Sequence, residues 1–362
     1  MPLHRPLFLL PPESAHTVAM LALETVATRP RLCALGRARL AWTNAALETT
    51  AFGLRFPNPV GVAAGFDKDG RTVAALESIG FGFVEVGTVT PLPQPGNDGP
   101  RVARLADERA LVNRLGFPSH GARAVAARLG AARVRDRMPK GPLGINIGPN
   151  RSTPPERLPA DYLEALGTLY AAGDYFVVNI SSPNTPGLRE LHRVDLLDDL
   201  LAAVSGEIAR LAAGESAQPK PLLVKVSPDE PAERLDDIAE LVVRRGAAGV
   251  VVANTSVASP LVERAGLGGG GLSGAPVRAL TTALVREFYL RLRGRAEIIG
   301  VGGVFTADDA YEKIRAGASL VQVYTGFIYE GLTLPGRLCR GLAALLARDG
   351  FSGVAEAIGA DT

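Results

Sequence analysis

The chain has 362 residues, 47% of them hydrophobic and 21% charged, a composition that supports a large packed core and excludes disordered or collagen-like classes. Cys33 and Cys339 are too few for a disulfide framework or a four-thiolate zinc site. A formal net charge of +2 provides no global field that would attract nucleic acid.

Residues 1–44 hold five arginines against two glutamates, and the remainder is balanced at 34 basic to 35 acidic. A basic N-terminal segment on a neutral body suits contact with an anionic surface. The apolar run Leu7–Leu10 is stopped by Pro11 and Pro12, too early for a signal-peptide core. Residues 12–28 read as a helix, with Pro12 and Glu13 in its first turn and Pro30 past its end. Its apolar face is expected at Ala15, Val18, Ala19, Ala22 and Val26, widened by Met20, Leu21 and Leu23. A second short helix covers 30–40, with Leu32, Leu35 and Leu40. Neither reaches the ~20 apolar residues that a membrane span needs. With Arg29, Arg31, Arg37 and Arg39 at its ends, this hairpin suits either a helical cap or an interfacial membrane anchor.

From residue 57, short apolar runs alternate with helical stretches. The expected strands are Val60–Ala64, Phe83–Val86, Leu143–Ile147, Tyr175–Ile180, Leu222–Val226, Gly249–Ala253, Glu297–Val301 and Leu320–Val323. The helices between them include Ala122–Leu129, Asp161–Ala172, Leu196–Ala213, Ala232–Arg245, Val277–Leu292 and Ala307–Ala316. Continuous apolar strands suit a parallel sheet buried on both faces. Eight alternations predict an α/β fold, a (β/α)8 TIM barrel with an N-terminal helical hairpin extension. A doubly wound open sheet is the rival, and no GxGxxG leads from an opening strand into a helix to favour it.

Chemistry in such a barrel sits at the C-terminal strand ends. Arginine outnumbers lysine 34 to 5 and there are nine asparagines, yet Lys68, Lys225, Asn146, Asn179, Asn184 and Asn254 all fall at strand tips. Lys225 closes the apolar run Leu222–Val224, where a free charge is costly and needs an anionic or electron-rich partner. A reduced flavin ring is such a partner. Asparagines, donors and acceptors at once, suit a planar, amide-rich heterocycle. Glycines at Gly300–Gly303 and Gly326 admit a phosphate to backbone N–H groups, with the helix after Thr306 lending its N-terminus. Gly268–Gly274 reads as a further flexible donor patch. The four histidines, His4, His16, His120 and His192, have no ligand spacing, and no metal site or Ser-His-Asp arrangement is expected.

From Leu7 to Asp361 the chain resembles the class 2 dihydroorotate dehydrogenases, quinone-dependent flavoenzymes of pyrimidine synthesis. The motifs that carry the resemblance are AAGFDKDG (Ala63–Gly70), NRLGF (Asn113–Phe117), NISSPNTPGLRELH (Asn179–His192), GGLSG (Gly270–Gly274), IIGVGGV (Ile298–Val304) and AGASLVQVYTGF (Ala316–Phe327). The resemblance implies FMN held by Ala64, Gly65, Lys68, Thr88, Asn146, Asn179, Lys225, Ala253, Gly274, Gly303, Tyr324 and Thr325. It implies dihydroorotate bound by Lys68, Asn113, Arg114, Leu115, Gly116, Phe117, Asn179, Asn184, Asn254 and Thr255. Ser182 is the implied base, taking the C5 proton while C6 passes a hydride to flavin N5. Serine is a weak base in water, so this role needs a relay and a buried, ordered loop. His16, Arg104 and Tyr324 match positions near the quinone tunnel.

The resemblance thus implies a membrane-quinone-access segment over 1–44, a catalytic barrel over 45–362, and peripheral attachment to the cytoplasmic side of the cell membrane. Pro149, Ala253, Leu115 and Pro118 depart from the family's usual residues. Ala253 in particular replaces a threonine and so lacks one hydroxyl contact to the flavin.

Overall fold

A computed structural model describes residues 5–181 and 194–362 of the chain. Helices α1 (Pro12–Ala27) and α2 (Pro30–Leu40) form the expected hairpin. Each opens on a proline in its first turn, where a missing N–H costs nothing. The buried stripe of α1 is Ala15, Met20, Leu23 and Ala27. It is turned from the expected face, because the longer Met20 and Leu23 go inward and Val18 is left outside at 46% exposure. Among the described residues, three ion pairs fix the hairpin to the main body. Arg37 meets Glu77 at 2.8 Å, Arg71 meets Glu24, and Arg101 Nε donates to Glu13 at 2.9 Å.

After the hairpin, β1 (Thr49–Ala51) and β2 (Leu54–Phe56) form a small antiparallel ribbon. The barrel strands follow as β3 (Val60–Val62), β4 (Phe83–Val89), β7 (Leu143–Ile147), β8 (Tyr175–Asn179), β9 (Leu222–Lys225), β10 (Gly249–Val252), β12 (Glu297–Val301) and β13 (Leu320–Val323). They pair in parallel, in chain order, and β13 closes on β3. Nearly every strand residue is buried, since helices cover the outside and side chains fill the inside. The covering helices are α3 (Val73–Ser78), α4 (Ala122–Val134), α5 (Leu158–Leu169), α6 (Val194–Gly214), α7 (Ala232–Arg244), α9 (Arg278–Leu292), α10 (Ala307–Arg315) and α12 (Leu334–Arg348). Short helices α8 (Pro260–Arg264), α11 (Thr325–Glu330) and α13 (Val354–Ala357) sit in the connections and at the C-terminus.

The barrel interior is graded. At the strand starts, Phe56, Phe83, Tyr175, Leu223, Ile299 and Leu320 form an apolar cluster. The β1–β2 ribbon covers this end: the Phe56 and Phe83 rings lie 5.2 Å apart, and Phe52 N donates to Glu297 at 2.6 Å. Polar residues begin one layer higher and continue to the C-terminal rim. Above that rim lies a three-stranded antiparallel sheet of β5 (Val102–Leu105), β6 (Ala110–Asn113) and β11 (Gly271–Gly274). The segment expected as a flexible donor patch is therefore partly a strand. Gly271–Gly274 pairs residue by residue with Asn113–Ala110. Gly274 has φ +107, and a Cβ there would stand 2.3 Å from the Arg109 carbonyl, so only glycine fits.

Candidate active site

The strand ends surround a cavity. Lys225 ends β9 beside Asn179, which ends β8. Lys225 is 4% exposed, and among the described residues its ammonium has no hydrogen-bond partner. Burial pulls its pKa below the ordinary lysine value, and the Glu85 carboxylate partly offsets this. Such a group lowers the energy of any negative charge placed in the cavity. Lys68, on the loop after β3, donates to Gly65 O at 2.8 Å. Burial lowers its pKa to about 8, against the opposing charges of Asp69 and Asp67.

Between the lysines runs a connected set of amides and hydroxyls. Thr88 Oγ1 donates to Asn146 Oδ1 at 2.6 Å, and Asn179 Nδ2 donates to Thr88 Oγ1 at 3.0 Å. Asn254 Nδ2 reaches Ser181 Oγ at 3.0 Å. Opposite them, the backbone N–H groups of Gly303, Val304, Thr325 and Gly326 donate to no group among the described residues. Gly303 has φ +73, and a Cβ there would meet Arg278 at 2.4 Å. These N–H groups and glycines make a cradle for an anion. The N-terminus of α10 does not add to it, contrary to the sequence expectation. Its capping box directs the Asp309 carboxylate onto Phe305 N and Thr306 N at 3.0 and 2.9 Å, so those donors are already used.

A second, larger and mostly apolar cavity lies between α1 and the barrel. Leu7, Phe8, Ala15, Ala19 and Leu23 face Phe66, Phe327 and Ile328 across it. The two cavities share Lys68, Leu115, Pro118 and Tyr324. His16 lines the second cavity and donates to Phe66 O at 3.0 Å; burial, with Lys68 close by, holds its pKa near about 4, so the ring is neutral at physiological pH. Arg104 Nη1 donates to Phe8 O at 3.0 Å, and its guanidinium lies 4.4 Å from the Phe8 ring centre. Burial raises the Tyr324 phenol to about 12, keeping it protonated at the junction.

A sequence profile described as dihydroorotate dehydrogenase matches residues 46–346. A protein of Anaeromyxobacter sp. (strain Fw109-5) named dihydroorotate dehydrogenase (quinone) is 49% identical, over 98% of this chain and 95% of its own length. One of the same name from Myxococcus xanthus is 48% identical, over 98% and 96%. The chain belongs to the quinone-type dihydroorotate dehydrogenase family. Solved structures agree: DHODH from Eimeria tenella in complex with ferulenol superposes with a TM-score of 0.86, at 37% identity, covering 97% of this chain and 96% of that one. Membership makes the protein an oxidoreductase that acts on dihydroorotate in pyrimidine biosynthesis.

For this dehydrogenase, most residues singled out from sequence come together. Ala64, Gly65, Lys68, Thr88, Asn179, Lys225, Ala253, Gly274, Gly303, Tyr324 and Thr325 line the first cavity. So do Asn113, Leu115, Gly116, Phe117, Asn254 and Thr255. Two expected ligands do not reach the cavity surface. Asn146 is fully buried beneath it, and Arg114 directs its guanidinium to Leu267 O at 2.9 Å. Ser182 and Asn184 lie outside the described residues. The sequence reading missed Gln322, which lines the cavity from β13, and Ser273, which accepts from Thr325 Oγ1 at 2.8 Å. It also missed Glu85, although a lone carboxylate in the run Phe83–Val86 carries the same signal that marked Lys225.

Proposed function

We propose that the protein oxidises (S)-dihydroorotate to orotate with FMN as the immediate acceptor and a membrane quinone as the final one. The observation that carries this reading is the junction at Tyr324, Lys68, Leu115 and Pro118, where a polar, cationic cavity meets an apolar one. FMN, when bound, supplies a two-electron acceptor that no side chain here provides. The N–H cradle of Gly303, Val304, Thr325 and Gly326 suits its phosphate. The buried ammonium of Lys225 suits the electron-rich edge of its ring.

Lys68 is the cation for the substrate carboxylate, and Asn113, Asn179, Asn254 and Thr255 suit its amide edge. Ser182, next in sequence to Ser181, is the proposed base for the C5 proton, with Asn184 as a further substrate ligand. Residues 1–44 are the quinone-access segment and 45–362 the catalytic domain. No helix among the described residues is long and apolar enough to cross a membrane. On α1 Val18 and Leu21 are exposed at helical spacing, as are Leu32 and Leu35 on α2, with Arg29, Arg31 and Arg39 also exposed. This pattern supports peripheral membrane attachment, which we assign to the cytoplasmic face.

The test is the visible spectrum of the purified protein. Flavin absorbance is expected, bleached by anaerobic dihydroorotate and restored by a short-chain quinone. A colourless protein that takes up no added FMN overturns the reading. A variant lacking residues 1–44 is expected to reduce a soluble dye and to lose quinone turnover.

A further inference from the structure

We propose that Glu85, which lies outside the cavity, is the positioning residue that fixes the orientation of the amide side chains along its wall. Glu85 is 0% exposed inside the barrel. Its Oε1 accepts from Asn146 Nδ2 at 2.9 Å and its Oε2 from Gln322 Nε2 at 2.6 Å. A carboxylate can only accept, so both amides must turn their NH2 groups toward it.

The constraint then passes outward. Asn146 presents Oδ1 to the far side, where it accepts from Thr88 Oγ1 at 2.6 Å and Asn179 Nδ2 at 3.2 Å. Asn179, its NH2 committed there, presents Oδ1 to the Ser181 hydroxyl at 3.1 Å. Ser181 Oγ in turn accepts from Asn254 Nδ2 at 3.0 Å. Every donor in this chain points toward Glu85. Reversing one amide sets donor against donor in a buried place, and hydrogen bonds aligned this way strengthen one another. Asn179 and Asn254 face the cavity, whereas Asn146 is wholly beneath it and serves as the transmitter. The Glu85 charge also acts on Lys225.

A neutral glutamine at this position offers one acceptor and one NH2. It satisfies Asn146 or Gln322, and the other must turn over. The double variant Glu85→Gln/Gln322→Glu moves the carboxylate across the pair. The introduced glutamine then donates to position 322 and offers its oxygen to Asn146, which restores the original direction.

The experiment compares the parent holoenzyme, Glu85→Gln and the double variant. It reads orotate affinity from the perturbation of the flavin spectrum, which rests on the functional reading above, and melting temperature, which does not. Glu85→Gln is expected to weaken orotate by about tenfold or more and to lower the melting temperature. The double variant is expected to recover most of both. A single variant that matches the parent, or a double variant no better than the single, overturns the proposal. If the single variant does not fold, a folded double variant that binds orotate supports it, and an equally unfolded one overturns it. A colourless parent overturns the functional reading, and the three melting temperatures still decide the role of Glu85.

Discussion

Lys68 shows how burial turns an ordinary side chain into a pH-sensitive one. In the folded protein it is charged below about pH 8 and neutral above, whereas a solvated lysine stays charged to about 10.5. A carboxylate ligand needs the ammonium form. Dihydroorotate affinity is therefore expected to be full below pH 8 and to fall as pH rises through it. A KM profile taken between pH 6.5 and 9.5 checks this. Lys68→Met should weaken the substrate throughout and flatten the profile; an unchanged rise in KM would assign the titration to another group. The residues legible at this scale were the ones at strand tips, where a charge or an amide has no folding reason to be. Glu85 and Gln322 escaped that search, because each stands within its strand and not at the tip. Their meaning comes from partners on β7 and on each other's strands, far away in sequence.

The elements outside the barrel are held by several small contributions. The pairs of Glu13 with Arg101, Glu24 with Arg71 and Glu77 with Arg37 are all partly exposed. Each therefore contributes roughly 0.2–1 kcal/mol, and losing one leaves the hairpin docked. Glu13→Ala alone is expected to shift the melting temperature little and to leave quinone turnover near the parent value. The triple variant Glu13→Ala/Glu24→Ala/Glu77→Ala is expected to raise the quinone KM several-fold and to leave dye reduction intact. A parallel loss of both activities would show that the pairs support the barrel itself. The hairpin was legible because its prolines, arginines and leucines are local signals. The sheet of β5, β6 and β11 was not. Val102–Leu105 is half-buried and weakly patterned, and Gly271–Gly274 is glycine-rich with its ladder partner about 160 residues earlier.

At the level of the molecule, the barrel was legible because burial on both faces writes uninterrupted apolar runs into the sequence. Leu143–Ile147, Glu297–Val301 and Leu320–Val323 have the boundaries expected from pattern alone. The β1–β2 ribbon escaped notice because two three-residue strands around Phe52 and Gly53 carry too little periodicity to register. Its aromatic contacts nevertheless bear on global stability. Phe83 is 1% exposed, and its ring stands 2.4 Å from where a Cβ on Gly61 would lie. Phe83→Ala is therefore expected to cost about 3–5 kcal/mol, read as a lower urea midpoint. A variant as stable as the parent would mean that the ribbon settles into the vacated space.

That ribbon has a further consequence. By corking the bottom of the barrel it makes the protein a vessel with a single rim, so nothing can drain through the axis. Under the proposed function, pyrimidine and quinone must then be served from the same side, with the passage beneath α1 as the second visitor's own door.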